Sequence, residues 1–195
     1  MENEERNVKK VILIHGYNTN PYSKKWQITA EALKAMGVEC SAPVLPGGER
    51  PHSQEWLEII DKEVKDSKGP VILCGSSLGT RAILLYLDKY NQKVDSVILI
   101  ASFNNNFQEN RKRRNGAYAD FFDYALDIER IKKLANHFIV VHSKDDELIN
   151  YNQAAEISNQ LGAKLITYEN MGHFCGERNS EKNAAVFIEI IKSVL

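Results

Sequence analysis

Residues 75–79 read Gly-Ser-Ser-Leu-Gly, a G-x-S-x-G pattern with Ser77 at its centre. Cys74 fixes the register, because centring the pattern on Ser76 would need a glycine at that position. A serine hydroxyl attacks a carbonyl only when a base removes its proton, and an acid must hold that base in place. A histidine and a carboxylate are therefore required elsewhere in the chain. Of His15, His52, His137, His142 and His173, the last lies in "NMGHFCG", just past the final apolar run. The acid should close an earlier run, and "FIVVHS" is followed by Lys144-Asp145-Asp146-Glu147. Asp145 and Asp146 both qualify on position. Ser77, one of these aspartates and His173 then make a nucleophile, an orienting acid and a base, a set that forms and hydrolyses an acyl-enzyme.

The setting of Ser77 supports this chemistry. The apolar run "VILCG" precedes the motif and the helical pattern "LGTRAILLYLDKY" follows it, the strand–turn–helix context of a nucleophile elbow. Such a turn strains the serine backbone and exposes its hydroxyl, while the flanking glycines make room for neighbouring strand and helix. Ser76 is expected to support the turn by a hydrogen bond. A developing oxyanion needs preorganised donors. One should be the N–H of Leu78 at the helix N-terminus, and the other should come from "HGYN", with the N–H of Tyr17 first and that of Asn18 second. His15 is read as a brace for that loop.

Six runs read as the strands that position these groups: Val11–Gly16, Val38–Pro43, Val71–Gly75, Ser96–Ser102, Phe138–Ser143 and Leu165–Asn170. Most are apolar on successive residues, as in strands covered on both faces. Helical patterns alternate with them, among them Ser23–Met36 before Gly37 and Ser53–Ser67 before Gly69-Pro70, with Ser53 at an N-cap and Gly37 at a C-cap. This alternation predicts one α/β domain over residues 1–195, with a mostly parallel six-stranded sheet flanked by helices. Phe103–Asp127, "FNNNFQENRKRRNGAYADFFDYALD", is long for a connection. It reads as a short lid or pocket-lining segment, with some of Phe103, Phe107, Tyr118, Phe121, Phe122 and Tyr124 walling an acyl pocket. The basic run Arg111–Arg114 reads as a solvated face.

With 195 residues, 43% of them hydrophobic, and a formal net charge of −1, nothing in the whole-chain charge favours nucleic acid or an anionic membrane. No apolar run approaches membrane-spanning length, and the charged "MENEERNVKK" lacks the apolar core of a secretory signal. Three scattered cysteines, Cys40, Cys74 and Cys175, suit reduced thiols and a cytoplasmic location. No metal or organic cofactor is expected, and the expected partner is a small ester or peptide-like substrate.

The residues together resemble the α/β-hydrolase superfamily, whose triads run Ser, Asp, His in chain order. Within it the chain is similar to the small lidless serine hydrolases typified by retinoblastoma-binding protein nine and its bacterial relatives. The resemblance runs nearly end to end, through "HGYNTNPYSKKW" (15–26), "PVLPGGERPHSQEW" (43–56), "CGSSLG" (74–79), "HSKDDELIN" (142–150) and "GHF" (172–174). It implies Ser77 as nucleophile, Asp146 as acid and His173 as base, Asp146 because the family's acid stands three residues after the Ser of "HS". It also implies a serine hydrolase acting on carboxylic esters, or on amides and peptides. Acyl transfer, thioester hydrolysis or a binding role on the same scaffold are the alternatives. The chain departs from its relatives at Ile149-Asn150 and in the basic run, and lacks the Leu-x-Cys-x-Glu motif of a retinoblastoma-type partner site.

Overall fold

The computed structural model describes residues 8–195. Strands β1 (Lys10–Ile14), β2 (Glu39–Ser41), β3 (Val71–Ser76), β4 (Val94–Ile100), β5 (Ala135–Ser143) and β6 (Lys164–Tyr168) form one all-parallel sheet in the order β2-β1-β3-β4-β5-β6. The helices are α1 (Lys24–Ala35), α2 (Ser53–Lys65), α3 (Leu78–Tyr90), α4 (Phe107–Asn110), α5 (Ile128–Ile131), α6 (Tyr151–Leu161) and α7 (Ser180–Lys192). Two-residue alternation along the strands divides the core in two. Val11 and Leu13 of β1 face Trp26 and Leu33 of α1 and Phe187 and Ile191 of α7. Ile12 and Ile14 face the layer built by α2, α3, α5 and α6.

The predicted sheet is present, with shifted edges. Strand β2 is shorter than the Val38–Pro43 run and partly exposed, because it is an outer strand with a single neighbour. Strand β6, the other outer strand, is likewise only half-buried. Gly37 ends α1 as expected: its φ is +76°, its N–H bonds the Lys34 carbonyl, and that of Val38 bonds Leu33. Ser53 is not an N-cap but the first residue of α2. The capping acceptor comes from elsewhere in the chain, since the Asp120 carboxylate accepts the Ser53 N–H at 2.6 Å.

Strand order reverses between β1 and β3, so the loops leaving their C-terminal ends diverge and open a crevice there. Phe103–Asp127 folds beside it as α4 and two 3₁₀ turns, Arg113–Gly116 and Ala119–Phe122. The buried guanidinium of Arg81, on α3, fastens this segment. It donates to the carbonyls of Phe121 (2.7 Å) and Tyr124 (2.8 Å) and to Asn105 Oδ1 (3.2 Å).

Candidate active site

Ser77 sits between β3 and α3 with φ 55° and ψ −123°, a left-handed backbone that non-glycine residues rarely adopt. Its N–H bonds the Ile100 carbonyl of β4, and its own carbonyl accepts the N–H (2.9 Å) and hydroxyl (2.7 Å) of Thr80. The side-chain brace of this turn is therefore Thr80 rather than Ser76, which ends β3 with its side chain buried. The two glycines are dictated by close approach. A Cβ on Gly75 would lie 2.8 Å from the Gly79 backbone, and one on Gly79 would lie 2.5 Å from the Ile14 carbonyl oxygen. This packing presses the strained turn against β1.

His173 follows β6, and its Nδ1 lies 2.8 Å from Asp146 Oδ2. The adjacent aspartates diverge. Asp145 turns back to accept the Ser143 hydroxyl and the N–H groups of Met171 (3.2 Å) and Gly172 (3.0 Å). It thus ties the end of β5 to the loop carrying His173. Asp146 is buried, and its Oδ1 accepts the N–H groups of Leu148 (2.8 Å) and Ile149 (3.0 Å). Burial alone would raise its carboxyl pKa. Hydrogen bonds from His142 and His173, the His173 charge and the Ile149 N–H outweigh burial and hold it well below the usual carboxylate range. His142 Nε2 faces two acceptors, the Ile149 carbonyl at 2.9 Å and Asp146 Oδ2 at 3.3 Å, so the proton belongs on that nitrogen.

Gly16, Tyr17 and Asn18 border a cavity of about 530 Å³ that also reaches Ser77 and His173. Tyr17 is anchored by its hydroxyl, which donates to the Glu49 carbonyl at 3.0 Å, and by edge contact with Tyr118. Leu78 opens α3, so its N–H belongs to the first turn, where helical donors lack an intrahelical acceptor. His15 braces the loop from beneath. Its Nε2 accepts the Leu45 N–H at 3.1 Å, which leaves the Nδ1 proton to bond the Gly16 carbonyl at 2.9 Å. Burial also lowers its pKa. His52 is exposed, and His137 lies on an exposed stretch of β5. Among the described residues no three His, Cys, Asp or Glu side chains converge as a metal ion would require.

Residues 11–183 match the serine hydrolase family. This chain belongs to that family. It is 24% identical to YdeN of Bacillus subtilis (strain 168) over 168 residues, 85% of this chain and 86% of YdeN. It is 26% identical to the serine hydrolase RBBP9 of Rattus norvegicus over 159 residues, 82% of this chain and 79% of RBBP9. The crystal structure of the B. subtilis ydeN product superposes with a TM-score of 0.81 at 22% identity, covering 96% of this chain and 98% of that one. Ferulic-acid-bound Est1E from Butyrivibrio proteoclasticus gives a TM-score of 0.78 at 16% identity, covering 99% and 92%. These likenesses show the α/β-hydrolase fold.

Around the cavity of this serine hydrolase stand residues that the sequence did not mark. Of the aromatic candidates, Phe103 and Tyr118 line it, whereas Phe121 and Phe122 are wholly buried in the core and Tyr124 is 41% exposed. The basic run divides. Arg111 pairs with Asp123 on the surface and Arg114 is exposed, as a solvated face requires, but Arg113 is half-buried, and both Arg113 and Arg114 border the cavity. Lys25 lines it too, its pKa lowered to about 8 by burial. The only signal for this division is the glycine at 116 beyond the run; Arg114 and Asn115 both adopt left-handed φ just before it.

Proposed function

We propose that Ser77, His173 and Asp146 form a triad that hydrolyses carboxylic esters through an acyl-enzyme, with amides and peptides open to the same chemistry. The observation that carries this reading is the 2.8 Å contact of His173 Nδ1 with buried Asp146, beside a strained Ser77 on the same cavity. With its proton held on Nδ1 by Asp146, the imidazole keeps a lone pair on Nε2. That nitrogen takes the Ser77 proton as Oγ attacks the carbonyl, then returns it to the leaving alcohol. The N–H groups of Leu78 and Tyr17 receive the oxyanion. Water, deprotonated by the same histidine, releases the acid.

The expected partner is a small molecule. The three cysteines are unpaired, in keeping with a reducing compartment such as the cytoplasm, and among the described residues no helix is long and apolar enough to cross a membrane. A fluorophosphonate probe tests the reading. Mass mapping should place the adduct on Ser77, and Ser77→Ala should abolish it and lower ester turnover at least about a thousandfold. Labelling and turnover that survive in Ser77→Ala but vanish in Ser76→Ala would overturn the assignment.

A further inference from the structure

The cavity beside Ser77 is more basic than the chain as a whole. Among the described residues, three cationic residues, Lys25, Arg113 and Arg114, line it against one acidic residue, Glu147, although the net charge of the protein is −1. Arg113 is placed by a polar scaffold. Arg113 Nε donates to Asn110 Oδ1 at 2.9 Å and an Nη1 proton to the Leu148 carbonyl at 2.9 Å. Asn110 is itself fully buried and held by Asn104 Oδ1 at 2.9 Å, and Asn104 donates to Glu156 at 2.8 Å. The guanidinium lies 5.6 Å from the centre of the Phe103 ring, on the cavity wall.

Every acceptor holding Arg113 is neutral. Arg111 and Arg130 pair with Asp123 and Asp88, but among the described residues neither Arg113 nor Arg114 has a carboxylate within ion-pair distance. Among the described residues only Nε and one Nη1 proton find acceptors, so three of the five N–H groups of Arg113 are left for a ligand. Arg114 is carried on a left-handed backbone (φ 51°), with Asn115 also left-handed (φ 54°). Both residues are exposed, at the rim of the cavity that Arg114 lines. A fork of free donors on an aromatic wall, fixed in advance and uncompensated in charge, suits a carboxylate.

Building on the hydrolase reading above, we propose that the substrate is an ester carrying a free carboxylate, which Arg113 and Arg114 bind while Ser77 attacks the ester carbonyl. The charge then supplies selectivity, and Phe103 and Tyr118 pack the linker between carboxylate and ester. Attack and release follow the triad chemistry, and the carboxylate takes no part in bond exchange.

The test compares matched esters. Monoethyl glutarate against ethyl pentanoate places the charge on the acyl side; 4-acetoxybenzoate against 4-acetoxybenzamide places it on the alcohol side. In at least one pair, kcat/KM for the charged ester should exceed that for the neutral one by about tenfold or more, as expected of charge-assisted hydrogen bonds. The ratio should fall towards unity in Arg113→Gln/Arg114→Gln. It should also shrink in the wild-type protein as salt rises from about 0.05 to 0.5 M, a readout independent of whether the variant folds. Faster or equal hydrolysis of the neutral ester in both pairs overturns the anionic site and leaves the hydrolase reading standing. If no ester turns over, the hydrolase reading fails. Calorimetry on Ser77→Ala then decides the site alone: tighter binding of the charged esters supports it, and equal binding overturns it.

Discussion

Replacing Arg81 by Met should loosen the segment that walls the cavity. Arg81 is 2% exposed on a helix whose residues Leu78–Asp88 are all buried, and no carboxylate compensates its charge within ion-pair distance among the described residues. Burial lowers its pKa to about 10, a sign that the site penalises the charge. The hydrogen bonds run the other way. Loss of the guanidinium leaves the carbonyls of Phe121 and Tyr124 without their donor. Each such loss costs about 1–3 kcal/mol in a buried setting. The stack on Phe122, 4.8 Å from its centre, is lost as well. Release of the buried charge offsets part of this, so the net destabilisation should be about 2–4 kcal/mol. For a chain of this length that corresponds to a fall in melting temperature of roughly 4–16 °C. Urea denaturation measures the first quantity. Limited trypsin digestion at Arg111–Arg114 measures the local effect and should accelerate in the variant. A Met variant within about 0.5 kcal/mol of wild type, with unchanged cleavage, would refute Arg81 as the fastening of this segment.

Gly79→Ala should cost more than about 3 kcal/mol or abolish folding, because the added Cβ meets backbone oxygens of Ile14 and His15 at 2.5 and 2.6 Å; thermal melts check it. The depressed Asp146 pKa means that the unfolded chain takes up its proton first on acidification. Stability from this group is therefore complete at neutral pH and is lost as pH falls below about 4. Acid titration of the unfolding free energy should show a shallower decline in Asp146→Asn than in wild type, and equal slopes would contradict the depressed pKa. In the folded protein Cys175, which is exposed, should react first with a thiol reagent. Cys40 is half-buried with its pKa raised to about 11 by burial, and Cys74 is wholly buried with its pKa raised further. Peptide mapping after brief alkylation reads the order.

Strands β1, β3 and β4 were legible because both their faces are covered, which leaves long apolar runs with little ambiguity. Outer strands such as β2 lack that signature, and their limits depend on a single neighbour. Ser77 was fixed by Cys74 and the two glycines, whose spacing reflects a contact between α3 and β1. Asp145 and Asp146 were not separable from sequence chemistry, since both follow β5. Only the turn geometry sends one to His173 and the other to the Met171 and Gly172 amides. The Asn run was opaque for a similar reason. Asn104 holds Asn110, Asn105 bonds Leu126 and Arg81, and Asn106 caps α4, roles set by partners far along the chain or by local turn geometry. His142 beside Asp146 and the cavity-facing arginines belong to the same class: their residue types were visible, their directions were not.

Paired Asp→Asn variants test the proposed role of Asp146, which is to orient His173 as the base for Ser77. Asp146→Asn removes the carboxylate that holds Nδ1–H. It should lower kcat on a simple ester by roughly 10³–10⁴-fold while the fold persists. Asp145→Asn should retain most of the activity and lose stability instead, because its contacts are to the Ser143 hydroxyl and loop amides. Both variants are to be assayed on the same ester at neutral pH, with circular dichroism to verify folding. A severe loss in Asp145→Asn with near-normal turnover in Asp146→Asn would make Asp145, not Asp146, the orienting acid.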